Sequence, residues 1–582
     1  MSSVMHKKIN KSGKKQCIII VMSRQDLILL HPPSVFEFRE RPGFYGPVSD
    51  VVPSSSIFEI YPIGFLTMSD YLHRHGISVR IVNLAMKMLI AKSFDPVKFV
   101  KKLRALAFGV DLHWLPHVDG SLSLAEMLKK HHPDKPVILG GLSATYYHSE
   151  IMSEYPFIDF IVMGDSTEEP LRMLMEAIKS GTGFDLVPNL VWRDQSGRVI
   201  TNELSNRPED LDRVSFDYLH LLKMAIKYRD PSGYIPFRYW LSYPVTAVFQ
   251  CRGCNHNCAS CAGSLSSFKM LCMREKPCFR SPELLAEDIR KISEYTGTPV
   301  MVLGDLLQAG REYAERFLDA VKGYRIENEV TIEFFNLPPE SFIRKVADCL
   351  ANFNVEISPE SHDPKIRKTF GKHYDNLELE RMIATLLDAG CKRVDIFFMI
   401  GLPYQDYESV MQTVKYCEEL LQKFGAQRLL PMIAPLAPFI DPGSSIFEEP
   451  HKFGYRFFYR TLKEHRQAML MPSWKYTLNY ETEWMKREDI VRATYDAALL
   501  LLDIKEKYQI LGKEKADKIR NHIKRAKVLI ERIESSSQID DATKAEVLHL
   551  NNLDSLCDKH ELDWPIKGFS LNFLKLFRLL LR

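Results

Sequence analysis

The sequence predicts an α/β protein in three parts: a doubly wound parallel sheet, a second block of alternating strands and helices, and a mainly helical C-terminal region. Three observations support this. Short apolar runs alternate with helical patterns over 17–180, the alternation resumes from 244 to about 440, and the strand pattern stops after Phe439-Ile440-Asp441-Pro442-Gly443-Ser444. Apolar runs separated by helices are the pattern of a parallel sheet covered on both faces. A length of 582 residues suggests roughly three or four domains. With 46% hydrophobic and 26% charged residues the composition is ordinary globular. Net charge is +3, from 77 basic and 74 acidic side chains, which gives no broad nucleic-acid footprint. No apolar run reaches 18 residues, so no spanning helix is expected.

The basic stretch containing Met5, His6, Lys7, Lys8, Lys14 and Lys15 lacks an apolar h-region and is expected to be a solvated tail. Residues 17–21 are either a short strand or a lead-in. The run 26–30 is the first buried strand and ends in His31-Pro32-Pro33-Ser34. A helix opens at Tyr61-Pro62-Ile63-Gly64-Phe65-Leu66 and closes at Gly76. Further strands are expected at 78–82, 105–110, 137–141 and 160–164. Ligands of such sheets sit at the carboxyl ends of strands, which singles out loops 31–36, 111–120, 140–145 and 164–168. A connector follows, with a small hairpin turning at Asp194-Gln195-Ser196-Gly197 and a boundary at Pro231-Ser232-Gly233. The second block carries strands at 244–250, 300–303, 330–335, 355–358, 393–400 and 428–433. Helical periodicity then covers 454–470, 486–508 and 513–534, interrupted by aromatic-rich loop at 469–474 and 478–480.

The chemistry is concentrated in Cys254, Cys258 and Cys261, spaced C-x3-C-x2-C. Three thiolates on one loop can hold three corners of a [4Fe–4S] cubane and leave the fourth iron open, whereas an electron-transfer cluster normally has four protein ligands. Zinc would need a fourth ligand from Cys251, His256, Cys272 or Cys278. A disulfide framework fits poorly with a long chain of eleven cysteines. Cys251, Cys272 and Cys278 are too scattered to predict a second cluster and read as plain thiols. The strand leading through Phe249 into Arg252-Gly253-Cys254 resembles the radical S-adenosylmethionine (SAM) superfamily. That resemblance implies a partial (β/α)6 TIM-like barrel with its site at the carboxyl ends of the strands. It also implies that the open iron chelates SAM, that one electron splits the sulfonium, and that the resulting 5′-deoxyadenosyl radical abstracts hydrogen. The SAM contacts implied are Ser260 (where an aromatic residue is common), Gly304 and Asp305 at the methionine amino group, Ser358 and Glu360 at the ribose, and Ile400, Gly401 and Leu402 behind adenine. Gly and Asp are also common at strand ends for conformational reasons alone.

The N-terminal block resembles the cobalamin-binding domain attached to many radical SAM enzymes. The matching pieces are the strand ending in His31-Pro32-Pro33, the Gly64-Phe65-Leu66 helix entry, the turn carrying Gly140, Gly141, Ser143 and Ala144, and Gly164-Asp165. These are the implied cobalamin contacts. The loop after the first strand lacks the D-x-H-x-x-G motif of methionine-synthase-like domains. Asp111-Leu112-His113 follows the third strand and is followed by Pro116. No histidine is therefore expected to ligate cobalt. His113 and His117 are either polar loop residues or ligand-facing.

The domain boundaries read from these signals are a basic tail at 1–16, a Rossmann-like cobalamin-binding domain at 17–185, a connector at 186–235, a radical SAM core at 236–445, a helical region at 446–565 and an amphipathic tail helix at 566–582. The helical region either closes the barrel mouth or packs as a separate subdomain. In 569–582, Asn572, Lys575, Arg578 and Arg582 form one stripe on an otherwise apolar helix, a pattern of interfacial membrane helices. A helix docked on protein would look the same. The expected function is a cobalamin-linked radical SAM enzyme acting on a small molecule or lipid, with C-methylation preferred and radical C–C bond formation or cyclisation of an isoprenoid lipid as the alternative. A ferredoxin- or flavodoxin-type reductant and a cytoplasmic location with peripheral contact at the inner membrane face go with it. A cobalamin or iron–sulfur sensor without turnover and a zinc-dependent transferase are the competing classes.

Overall fold

Gln25–His31 is the hub of the N-terminal sheet, pairing in parallel with Val79–Asn83 on one side and Ala105–Asp111 on the other. Val137–Gly140 and Phe160–Val162 extend the sheet in parallel. The five strands thus lie in the order second, first, third, fourth, fifth. Strand order reverses beside the first strand, which puts a topological switch point at the carboxyl ends of the first and third strands. The computed structural model describes residues 5–9, 15–19, 25–41, 43–44, 55, 57–241, 244–435, 439–535 and 539–551.

Local chemistry sets the element ends. Asn83 accepts from Met86 N to start Leu84–Ile90, and Asp95 followed by Pro96 starts Pro96–Lys102. Gly181, at φ +76, closes Glu168–Ser180 in the left-handed conformation. The connector hairpin forms and joins this sheet: Leu190–Arg193 pairs antiparallel with Phe160–Val162, and Val199–Thr201 adds the edge. Asp230 of the connector is held by Arg80, at 2.7 Å, and by Lys87. The connector is therefore built onto the N-terminal sheet.

The second block is a six-stranded parallel sheet in sequence order: Thr246–Phe249, Val300–Leu303, Val330–Phe334, Phe353–Glu360, Val394–Ile400 and Leu429–Pro435. Helices Pro282–Ser293, Arg311–Tyr324, Glu340–Cys349, Asn376–Asp388 and Tyr407–Phe424 cover its outside. Each buries an apolar stripe, as Phe317, Leu318 and Val321 do in Arg311–Tyr324. A register shift interrupts the pairing of the fourth strand with the fifth, between Ile357 and Glu360.

Three expectations need correction or limitation. Met5–Ile9 and Lys15–Ile19 pair antiparallel, so the basic stretch expected as a tail contains a hairpin, and the run beginning at Cys17 belongs there and not to the parallel sheet. Within 454–470, Tyr455–Phe457 is a strand paired with Tyr480–Thr482, and the helix is only Leu462–Met469. Tyr455, Phe458, Tyr459 and Leu462 stand at i, i+3, i+4 and i+7, a spacing that fits a helix as well. The tail helix at 566–582 lies outside the described residues. Helices Arg487–Lys507 and Lys513–Ser535 form as expected. Helix Leu462–Met469 docks on the N-terminal domain, where the Glu150 carboxylate accepts from Leu462 N and Lys463 N, both at 2.9 Å. Among the described residues no helix is long and apolar enough to cross a membrane.

Candidate active site

The first barrel strand ends at Phe249 and leads through Gln250 into Cys251–Arg252, which pairs antiparallel with Cys278–Phe279. Gly253, at φ +85, turns the chain into the cysteine loop. The loop is closed by Cys261 N donating to Cys258 O (3.2 Å) and Leu265 N to His256 O (2.9 Å). Ser264 then caps helix Leu265–Cys272. Backbone N–H groups face two of the sulfurs: His256 N lies 3.4 Å from Cys254 Sγ, and Gly263 N lies 3.2 Å from Cys261 Sγ. Hydrogen bonds of this kind tune cluster potentials. Burial is the largest influence on these thiols, raising Cys254 to about 11 and Cys261 to about 12. A bound metal centre favours the thiolate and works against this burial.

Cys254, Cys258 and Cys261 all open on one cavity of about 1370 Å³. Among the described residues no three His, Cys, Asp or Glu side chains gather closely enough to hold a single metal ion. The all-thiol donor set, the backbone donors to sulfur and the roomy apolar wall fit a cluster with SAM beside it. Cys272 and Cys278 are buried thiols, whereas Cys251 reaches the cavity wall and donates to Gly253 O at 3.5 Å.

Ser260, Gly304, Ser358 and Glu360 line the same cavity. Asp305 does not. Its carboxylate accepts from Leu307 N (2.9 Å) and Phe335 N (3.0 Å), so it caps the turn Leu306–Ala309. Glu333 stands on the next strand. It lines the cavity and accepts from Gly304 N at 3.2 Å, and burial raises its pKa. The sequence held a signal for it, since Glu333 is the one charged residue in the run 330–335. Glu360 follows the register shift at φ +68. Its Oε1 pairs with Lys372 Nζ at 2.6 Å, and its buried Oε2 has no partner, which leaves an acceptor for a ligand. Lys372 also reaches Ser358 O. Nothing in the sequence marked it.

Ile400, Gly401 and Leu402 do not line the cavity. Ile400 and Leu402 are fully buried, and the Gly401 and Leu402 N–H groups donate to Gln405 Oε1 at 2.8 and 3.2 Å. Tyr455 OH donates to Gly401 O at 2.6 Å, and a Cβ on Gly401 would lie 2.7 Å from Tyr480 OH. The C-terminal hairpin covers this turn, and Met399 reaches the cavity instead.

On the N-terminal side, Gly64, Phe65, Leu66, Gly140, Gly141 and Ser143 line the cavity, together with Gly164 and Asp165. Gly141, at φ +119, lets two of these loops meet: a Cβ there would lie 2.5 Å from His113 Cα. His31 does not reach the wall. It is fully buried, with Nδ1 3.0 Å from Asp111 Oδ1 and Nε2 3.1 Å from Phe58 O. Pro32 and Pro33 lie against helix Val118–His131, where only Gly120 leaves room for the Pro33 carbonyl. Ala144 is fully buried. His117 Nε2 lies 2.8 Å from Phe58 O, and burial holds its pKa at about 4, so it is neutral. His113 and Trp114 line the cavity.

This geometry has counterparts among known proteins. Residues 50–172 match the B12 binding domain family, and residues 249–417 match the radical SAM superfamily. These are the two domains of cobalamin-linked radical SAM enzymes. The chain carries them in that order, and their cofactors are cobalamin, SAM and a [4Fe–4S] cluster. The chain is similar to an uncharacterized methyltransferase of Pyrococcus horikoshii, 22% identical over 404 residues that cover 69% of this chain and 79% of that protein. It is also similar to the anaerobic magnesium-protoporphyrin IX monomethyl ester cyclase of Rubrivivax gelatinosus, 27% identical over 140 residues, or 24% of this chain. That match spans 23% of the cyclase. The fold resembles the cobalamin-dependent SAM radical enzyme OxsB with aqua-cobalamin bound, with a TM-score of 0.55, 12% identity, and coverage of 92% of this chain and 77% of that one.

Proposed function

We propose that the protein is a cobalamin-dependent radical SAM methylase acting on an unactivated carbon of a small molecule. The observation that carries this reading is that one cavity takes in both the three-cysteine loop and the cobalamin-side loops Gly64–Leu66, Gly140–Ser143 and Gly164. When bound, the cluster with SAM supplies hydrogen-atom abstraction, and cobalamin supplies a methyl group. The chain's own residues then have separable tasks. Cys254, Cys258 and Cys261 hold the cluster. Glu333 and the free oxygen of Glu360 offer acceptors for the SAM ammonium and ribose, and Lys372 fixes Glu360 in place. Phe65, Trp114 and Met399 are apolar cavity wall that keeps water from a reactive carbon radical.

A second reading is radical C–C bond formation or cyclisation on an isoprenoid lipid. It is favoured by the apolar extension of the cavity along Leu221, Tyr234, Phe237, Trp240 and Leu241. A ferredoxin- or flavodoxin-type electron donor and peripheral membrane contact through 569–582 accompany either reading. The test is anaerobic reconstitution, with metal analysis and mass spectrometry of small-molecule and lipid extracts incubated with the protein. About four irons and four sulfides per chain, with one cobalt, and SAM-dependent 5′-deoxyadenosine are expected. A mass gain of one methylene unit in an extract component supports methylation, and loss of two hydrogens supports ring closure. A chain that binds zinc and no iron overturns both.

A further inference from the structure

The turn after the fifth N-terminal strand carries two buried carboxylates, Asp165 and Glu168. Both are engaged by arginines of the other domain. Arg252, two residues before Cys254, grips Glu168 with both arms: Nη1 lies 2.8 Å from Oε2 and Nη2 lies 2.5 Å from Oε1. Thr67 Oγ1 donates to the same carboxylate at 2.8 Å. Arg274, just beyond helix Leu265–Cys272, grips Asp165, with Nε 2.7 Å from Oδ2 and Nη2 3.3 Å from Oδ1. It also donates to Ser166 Oγ at 3.1 Å and to Pro208 O at 2.9 Å. The Arg252–Glu168 side chains are 12% and 9% exposed, and the Arg274–Asp165 side chains are 6% each.

The cysteine loop is thus bracketed in sequence by two arginines, and both forks close on one turn of the B12-binding domain. Buried ion pairs are poor sources of net stability, because desolvation cancels most of the attraction. What a two-armed guanidinium–carboxylate fork does supply is fixed distance and orientation. We propose that Arg252–Glu168 and Arg274–Asp165 are positioning residues that set the separation of the cluster loop from the cobalamin-bearing loops. This rests on the two-cofactor reading of the cavity. The forks work as a pair: one alone is a pivot, and two on the same turn remove the rotation.

The test uses the full chain, with Arg252→Met/Glu168→Met, Arg274→Met/Asp165→Met and the fourfold combination. Removing both partners leaves no lone buried charge, so folding is retained. Two readouts apply. In the protein without cofactors, hydrogen exchange at 164–168 and 252–263 is measured. In protein reconstituted with cob(II)alamin and a reduced cluster, paramagnetic relaxation of the cobalt signal by the cluster reports their separation. The expected result is exchange about tenfold faster at both segments and a broadened relaxation distribution in the fourfold variant. The melting temperature should stay near wild type, and Arg252→Lys should give partial restoration beside an intact Glu168. Unchanged exchange at both segments in the fourfold variant overturns the proposal whether or not cofactors bind. Absence of iron and cobalt in the wild type overturns the two-cofactor reading alone, and the exchange arm still decides whether the forks hold the domains in register.

Discussion

The two halves of the cavity meet their ligands differently. On the N-terminal half the strand-end acids are already paired, one within that half and two by arginines of the barrel half. His31 pairs with Asp111, Asp165 with Arg274 and Glu168 with Arg252. What that half presents is shape: glycine backbone, Phe65 and Trp114. On the barrel half the strand ends keep unused capacity in three thiols, a Glu333 raised by burial and an unpartnered Glu360 oxygen. The first half suits a large rigid ligand held by surface fit. The second suits a small charged one held by specific bonds. A large ligand gains most from apolar area, while the ammonium and hydroxyls of a small one need acceptors already in place.

The comparison breaks most completely at the cysteines. Cys258→Ala should abolish 5′-deoxyadenosine formation while leaving cobalt content near wild type. SAM cleavage that survives the substitution would remove the cluster from this loop. On the other half, Gly141→Ala adds a Cβ 2.5 Å from a backbone atom at a left-handed φ. Strain of about 1–3 kcal/mol should fall on the cobalamin side, lowering cobalt retention on gel filtration while SAM cleavage persists. Equal loss of both activities would show that the halves are not separable.

Much of this division was legible in the sequence. Parallel strands buried on both faces read as apolar runs, so all five N-terminal and all six barrel strands were placed within a few residues. The cysteine spacing singled out one loop because its three thiols are local in sequence, and all three open on the cavity. What stayed hidden depended on partners far along the chain. The turn at 400–402 looked open because the tyrosines covering it, Tyr455 and Tyr480, are more than fifty residues away. The ion pair of Asp165 was hidden because Arg274 is 109 residues distant. Between the two neighbouring acids Asp305 and Glu333, residue type could not show which one caps a turn. His31 could not be separated from a ligand until its ring was seen between Asp111 and the Phe58 carbonyl.

The Asp305–Glu333 assignment sharpens the comparison within the barrel half. Glu333→Gln should raise the KM for SAM about tenfold or more, the loss expected for a hydrogen bond to a charged group at about 1.5–3 kcal/mol, with little change in melting temperature. Asp305→Asn should do the reverse, lowering the melting temperature through two weakened backbone bonds and leaving KM nearly unchanged. A KM effect confined to Asp305 would return the acceptor role to it.

The smallest effect is a pH dependence at the boundary between the halves. Burial acts most strongly on Glu168 and pushes its pKa up, but the Arg252 charge and the hydrogen bonds from Arg252 and Thr67 outweigh it, so the folded value lies below the ordinary 4.5. A depressed carboxyl adds stability that is complete above its unfolded pKa and is lost as pH falls through the folded one, at about 1.4 kcal/mol per unit of depression. Hydrogen exchange at 252–263, corrected for intrinsic rates, should therefore be flat from pH 7 to 5 in the wild type and rise below pH 4.5. In Glu168→Gln it should start higher and show less of the acid rise, because the titrating partner is gone. An acid rise of equal size in both proteins would place the titrating group elsewhere and leave Arg252 held by shape rather than by charge.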